Sequence, residues 1–169
     1  MKIDPTHYSE ERIKQMLITL PQREQTIVAL AYGSGARVSE LNQIVPEDIT
    51  YEGNYMHISC KVLKKRKRTE KNQKRIALIR LDETWIIEPI QRCLQETELG
   101  KPLVPYNRNT LYRWLIKSTG INPHGFRAIR ATHLAKKGLT AHQLKHFFGW
   151  SSISPSDSYV RLNTDDIQY

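Results

Sequence analysis

At 169 residues the chain suits one domain that buries about two-thirds of its unfolded surface, so it should fold without disulfide staples. Its 26 basic against 17 acidic residues leave a formal charge of +9, which favours a polyanionic partner, nucleic acid by default, over an acidic small molecule. Cys60 and Cys93 form no Cys-x-x-Cys pair, nothing reads as a secretory signal, and no apolar run approaches the ~20 residues that span a bilayer; a membrane role has no support and a reducing cytoplasm fits.

Ser9 with Glu10 and Glu11 marks a helix start, followed by Ile13, Met16, Leu17 and Leu20 at one-face spacing. Pro21 ends it or opens the next helix, which carries Ile27, Val28, Leu30 and Ala31 and should stop at Gly33. The Gly33-Ser34-Gly35 turn leads into a third helix with Leu41, Ile44 and Val45 inward. Around Glu52-Gly53-Asn54 the period changes to two: Tyr55, His57 and Ser59 alternate with Met56, Ile58 and Cys60, and Arg75 to Leu81 supplies the returning strand. Asp82 opens a helix through Trp85, Ile86, Ile90 and Leu94 that Pro89 should interrupt. Asn109 caps another, with Leu111, Trp114 and Leu115 on one face and Gly120 past its end. Pro123 starts a helix closed by Gly138, and Thr140 caps a short one carrying Leu144, Phe147 and Phe148 and ending at Gly149. The expected fold is α+β, mainly α-helical, with one small antiparallel sheet and no second domain within residues 1–169.

Onto these elements fall residues that packing alone would not choose. Arg37 stands at a crowded helix start, Gly33-Ser34-Gly35-Ala36-Arg37-Val38-Ser39-Glu40-Leu41. His124 and Arg127 are three apart, so on a helix they share a face and can reach one phosphate. Trp150 carries an N–H donor, and Tyr159 follows it by nine residues behind a polar, serine-rich segment that argues for exposure. Metal-free cleavage of a phosphodiester needs charge neutralisation on the non-bridging oxygens, a nucleophile, and a proton for the leaving 5′-oxygen. The planar fork of arginine suits the first and stays charged. A tyrosine suits the second, since a covalent phosphotyrosyl bond conserves the diester's energy for rejoining. No His/Cys/Asp/Glu cluster has metal-ligand spacing and no glycine-rich phosphate loop is present, so neither a metal nor another cofactor is implied.

In this order and spacing the motifs resemble the tyrosine recombinases, or phage integrases, over the stretch from Tyr8 to Arg161. That family's catalytic domain is marked by Gly-x-Arg-x-Ser-Glu-Leu, a lysine on a β-hairpin, His-x-x-Arg, Leu-Gly-His or Leu-Gly-Trp, and a tyrosine about nine residues later. The resemblance implies a tyrosine recombinase catalytic-domain-like fold with Arg37 and Arg127 as a phosphate clamp, His124 as general acid/base or phosphate donor, and Tyr159 as nucleophile. Trp150 replaces the family's commoner second histidine, as a hydrogen-bond donor that cannot shuttle protons; a packing role is the alternative. Glu40 either holds Arg37 in place or is a helix-surface carboxylate.

His146 reads as a surface residue, and Tyr169 follows no motif. Nine of the fifteen residues from Lys61 to Arg75 are basic, among them Lys64, Lys65, Arg66, Lys67 and Arg68, a run that follows a nucleic-acid backbone or is a solvated hairpin tip. The lysine expected to protonate the 5′-oxygen is Lys61 by family spacing, with Lys64 and Lys71 as alternatives on a long hairpin. The implied activity is site-specific recombination or integration on duplex DNA by a homo-oligomer, a tetramer of protomers, in the cytoplasm of the cell or host. The family's larger members add a core-binding domain that nothing in this chain supplies, so it is a fragment or an unusually short enzyme. A type IB topoisomerase and a DNA-binding module without turnover are the rivals.

Overall fold

The computed structural model describes residues 3–62 and 73–165, the last five as backbone only. Its helices are α1 (Glu10–Ile18), α2 (Gln22–Ser34), α3 (Val38–Leu41), α4 (Thr84–Glu96), α5 (Arg108–Thr119), α6 (Pro123–Lys136), α7 (Ala141–Phe148) and α8 (Ser154–Asp165). The strands β1 (Ile49–Glu52), β2 (Tyr55–Lys61) and β3 (Lys74–Arg80) form one antiparallel sheet in the order β1-β2-β3. The mainly helical α+β expectation therefore holds.

Helix α2 is the axis of the core. Every residue from Thr26 to Ser34 is buried, as a helix apolar all round must be, and α1, α4, α5, α6 and the sheet pack about it. One face of the sheet, with Met56, Ile58 and Cys60 on β2 and Ala77 and Ile79 on β3, joins this core. The opposite face exposes Tyr55, Ile76 and Leu78.

Several local expectations are corrected. The second helix does not stop at Gly33, which is buried within α2 so tightly that a Cβ there would lie 2.8 Å from Ile79 and Ile86. The chain turns two residues later, at Gly35, in the left-handed conformation (φ 63°). The third helix is a single turn. Pro89 does not interrupt α4, because burial of Ile86, Ile87 and Ile90 against the core holds the segment helical across the missing N–H. Asn107, not Asn109, caps α5, accepting from the Thr110 N–H at 2.9 Å. The serine-rich stretch before Tyr159 enters a helix, α8, which packs on α6 and α7.

Candidate active site

Two helices end at the same place. Helix α2 closes at Gly35 and α7 at Gly149, both left-handed (φ 63° and 69°). A side chain at Gly35 would strike the Phe148 ring, and a Cβ at Gly149 would lie 2.9 Å from Arg75 Cδ. The last carbonyls of a helix have no partner within it and carry its negative dipole end, so the junction attracts cations. Two arginines answer. Arg127 donates through Nη1 to Gly35 O at 2.7 Å and through Nη2 to Phe148 O. Arg75 donates through Nη1 to Ser34 O at 2.9 Å and to Phe147 O at 2.6 Å. Each guanidinium thus bridges one carbonyl of each helix end, one residue apart in register.

Arg37 is the third cation and the N-cap of α3. Glu40 Oε1 accepts its backbone N–H at 2.9 Å, and Glu40 Oε2 faces its Nη1 at 3.4 Å. The helix-surface alternative for Glu40 is wrong: its side chain is fully buried and is shared with Arg75, whose Nη2 reaches Oε1 at 3.2 Å. Arg127 and Arg75 are buried, whereas Arg37 keeps 26% of its side chain exposed. Burial, then the charges of Arg75 and Arg37, push the Arg127 guanidinium down to about 9, with Glu40 only partly offsetting them. Such an excess of positive charge is the condition an oxyanion would relieve.

Arg37 forms a wall shared by two clefts. The larger, about 990 Å³, is also lined by Lys74, Arg75, Lys145, His146 and Trp150. The smaller, about 500 Å³, is lined by Arg108, Asn109, Tyr112 and His124. His124 lies in the first turn of α6, one turn before the buried Arg127.

Tyr159 comes to this place from α8. Its ring lies parallel to that of Trp150 (interplanar angle 2°, centroids 5.9 Å), and Trp150 stacks in turn on Phe148 at 4.9 Å. The Arg127 guanidinium sits 5.8 Å from the indole and 5.1 Å from the Phe148 ring. Tyr159 is half-buried rather than exposed, because this stack covers it. Burial raises its phenol above the ordinary value, and the Arg127 charge acts in the opposite sense.

Most of the expected site residues therefore converge. Arg37 shares one cleft with Trp150 and the other with His124, and Arg127 lies beneath Trp150, on which Tyr159 stacks. Lys61 does not line either cleft, but it ends β2 on the outer face of the sheet at the margin of the larger one, which its cross-strand partner Lys74 and its neighbour Val62 line. Lys64, Lys65, Arg66, Lys67, Arg68 and Lys71 lie outside the described residues, as does Tyr169. Four residues at the larger cleft were not anticipated as part of the site: Lys74, Arg75, Lys145 and His146. For Arg75 the signal was available. It shares its parity with Ala77 and Ile79, so a strand in this register turns it inward.

Comparison with known proteins gives the family. The phage integrase family model matches residues 6–165. The chain belongs to the phage integrase family. Among relatives, the tyrosine recombinase XerA of Pyrococcus horikoshii is 25% identical over 180 residues, covering 97% of this chain and 59% of the relative. The chain thus spans about three-fifths of the length of the curated relatives it matches. In the crystal structure of XerA recombinase the same fold covers 100% of this chain and 67% of that one, at a TM-score of 0.71 and 19% identity. The XerH site-specific recombinase bound to difH substrate, in a pre-cleavage complex, gives a TM-score of 0.67 at 19% identity, over 96% of this chain and 52% of that one. At such identity the two structures speak for the fold. Its phage integrase membership accounts for the order of the motifs along the chain. Among the described residues no helix is long and apolar enough to cross a membrane.

Proposed function

We propose that this chain is the catalytic domain of a tyrosine-type site-specific DNA recombinase, cleaving and rejoining duplex DNA through a 3′-phosphotyrosyl intermediate without a metal. The observation that carries this is the parallel stacking of Tyr159 on Trp150 directly beside the Arg127 guanidinium, with Arg37 on the same cleft. A phenol and a cradle whose arginines outnumber the one carboxylate they share suit attack on a phosphodiester. The XerH relative in its pre-cleavage complex supports the reading.

In this mechanism Arg37 and Arg127 neutralise the non-bridging oxygens of the scissile phosphate. The Tyr159 oxygen attacks phosphorus as its proton passes to His124, and the bond to the 5′-oxygen breaks as a hairpin lysine protonates that oxygen. Attack by an incoming 5′-hydroxyl reverses the step and reseals the strand. The surplus of +9 attracts the duplex, and the basic hairpin contacts its backbone. Assembly of a homo-tetramer on two duplexes and action in the cytoplasm belong to the same proposal. A nicked suicide duplex tests it: the short fragment bearing the new 5′-hydroxyl diffuses away and leaves a covalent protein–DNA adduct, which no non-covalent binding module can give.

The donor role of Trp150 predicts that Trp150→His retains more cleavage than Trp150→Phe, since imidazole keeps an N–H near the phosphate and phenylalanine keeps only the ring. Removing the donor should slow cleavage by about 100-fold. Wild-type rates for Trp150→Phe in single-turnover cleavage would reduce the residue to a platform for Tyr159.

The general-acid lysine is open to a substrate-level test. A substrate with a 5′-bridging sulfur needs no proton on its leaving group, so loss of the true general acid is rescued by it, whereas loss of a backbone-binding lysine is not. Rescue is expected for Lys61→Ala, with Lys64→Ala and then Lys71→Ala as the next candidates. Lys74 joins the panel because it lines the cleft. Rescue confined to any variant other than Lys61→Ala would move the assignment off Lys61.

A further inference from the structure

Arg75 is enclosed about as deeply as Arg127. It is 4% exposed, and its Nε–H is buried without a partner among the described residues. Its two terminal nitrogens reach three acceptors from three elements: Ser34 O at the end of α2, Phe147 O at the end of α7, and Glu40 Oε1 on α3. Only a planar fork with donors at fixed angles meets three such acceptors together; a lysine ammonium on a flexible stem cannot hold them in one plane. Placing a charge here without a role beyond packing is unfavourable, because apolar side chains of similar volume usually stabilise as well or better.

The connection that matters runs through Glu40. Its Oε1 is held at once by Arg75 Nη2 and by the Arg37 backbone N–H. With Oε1 fixed, the rotation of the carboxylate is fixed, and Oε2 is left facing Arg37 Nη1. Arg75 therefore holds the carboxylate that contacts both the backbone and the guanidinium of Arg37. It also ties that arrangement to the two helix ends on which Arg127 rests, so both halves of the cationic cradle refer to one buried group.

We propose that Arg75 is a positioning residue for strand cleavage, orienting Arg37 toward the scissile phosphate through the Glu40 carboxylate. The proposal rests on the recombinase reading above. Arg75 itself touches no reacting atom.

Single-turnover cleavage of a nicked suicide duplex by the full chain at saturating protein tests it, with Arg75→Lys and Arg75→Gln beside the parent. Two substrates are compared: an ordinary scissile phosphodiester, and one carrying a methylphosphonate there, in which a methyl replaces one non-bridging oxygen and the negative charge that Arg37 meets is gone. On the phosphodiester Arg75→Lys should be slowed by about 10- to 100-fold, the scale of a small misplacement, with duplex Kd within about threefold of the parent. On the methylphosphonate the gap should close to within about threefold, because less positive charge has to be aligned. Equal slowing on both substrates describes a residue that only supports the fold, and no slowing on either describes a dispensable one; each result overturns the proposal. If Arg75→Lys does not fold, Glu40→Gln carries the same comparison, since the amide keeps the shape and loosens the link to both arginines. An unchanged gap in that variant also overturns it. Failure of the parent to form a Tyr159 adduct on the phosphodiester is a separate outcome, and it sinks the recombinase reading itself.

Discussion

Tyr159→Phe is expected to abolish the covalent protein–DNA adduct while leaving duplex affinity within about threefold of the parent. The substitution removes one oxygen and keeps the ring, so the parallel stack on Trp150 survives and the fold with it. Deleting the nucleophile removes the covalent route altogether, and such losses are on the order of 10⁶-fold in rate. Tyr169→Phe should change neither adduct nor affinity. Peptide mapping of the parent adduct decides the point: DNA linked through any residue other than Tyr159 would falsify the assignment. A tyrosine that merely packed beneath the tail would lose nothing measurable on conversion to phenylalanine, which makes the contrast large.

Much of the fold was legible because its signals are local. Ser9, Thr140 and Pro123 mark helix starts, and the structure places helix boundaries at or next to each. The β2–β3 pair follows the period-two alternation down to its register, with Cys60 opposite Arg75 on the buried face. What was misread depended on contacts distant in sequence. Gly33 looks like a helix stop until Ile79 and Ile86 press on it from β3 and α4, leaving no room for any side chain. Pro89 looks like a break until α2 buries the segment around it.

The site divides in the same way. Arg37, His124, Arg127, Trp150 and Tyr159 were picked out by the joint order and spacing of short motifs, each weak alone, and the structure adds what spacing could not: Arg127 rests on two helix ends, and Tyr159 rests on Trp150. Glu40 was left between two roles because a carboxylate three residues after an arginine fits either a solvated helix face or a buried partner. Its complete burial between Arg37 and Arg75 depends on β3, 35 residues away. Arg75 itself was hidden by composition, as one cation among nine in a basic stretch. The exposure of Tyr159 was misjudged because a serine-rich segment is polar on average, and here its helix covers an aromatic platform.

Away from the cleft, a second buried ion pair predicts a large effect on stability. Arg130 is fully buried and forks onto Glu83, with Nη1 to Oε1 at 3.2 Å and Nη2 to Oε2 at 3.1 Å. Lys137 also donates to Glu83 at 2.7 Å and on to Glu10 at 2.7 Å, and the Arg130 guanidinium lies 4.9 Å from the centre of the Tyr32 ring. Arg130→Met leaves the Glu83 carboxylate in the interior with only Lys137, so it should destabilise the fold by about 3–5 kcal/mol, read as a shift in the urea midpoint. Adding Glu83→Leu should recover most of that loss, because the uncompensated charge leaves with it.

The pH dependence has a fixed sign. Burial alone would raise the Glu83 carboxyl, but Arg130 and Lys137 more than offset it and hold the group at about 2, below its ordinary 4.5. A depressed carboxyl contributes stability that is fully present above about pH 4.5 and is lost as pH falls toward about 2. The parent should therefore lose stability across that window more steeply than Glu83→Gln, which has no proton to take up there. Parallel acid-unfolding curves for the two, together with an Arg130→Met loss under about 1 kcal/mol, would mean that the pair is no stronger than an exposed one.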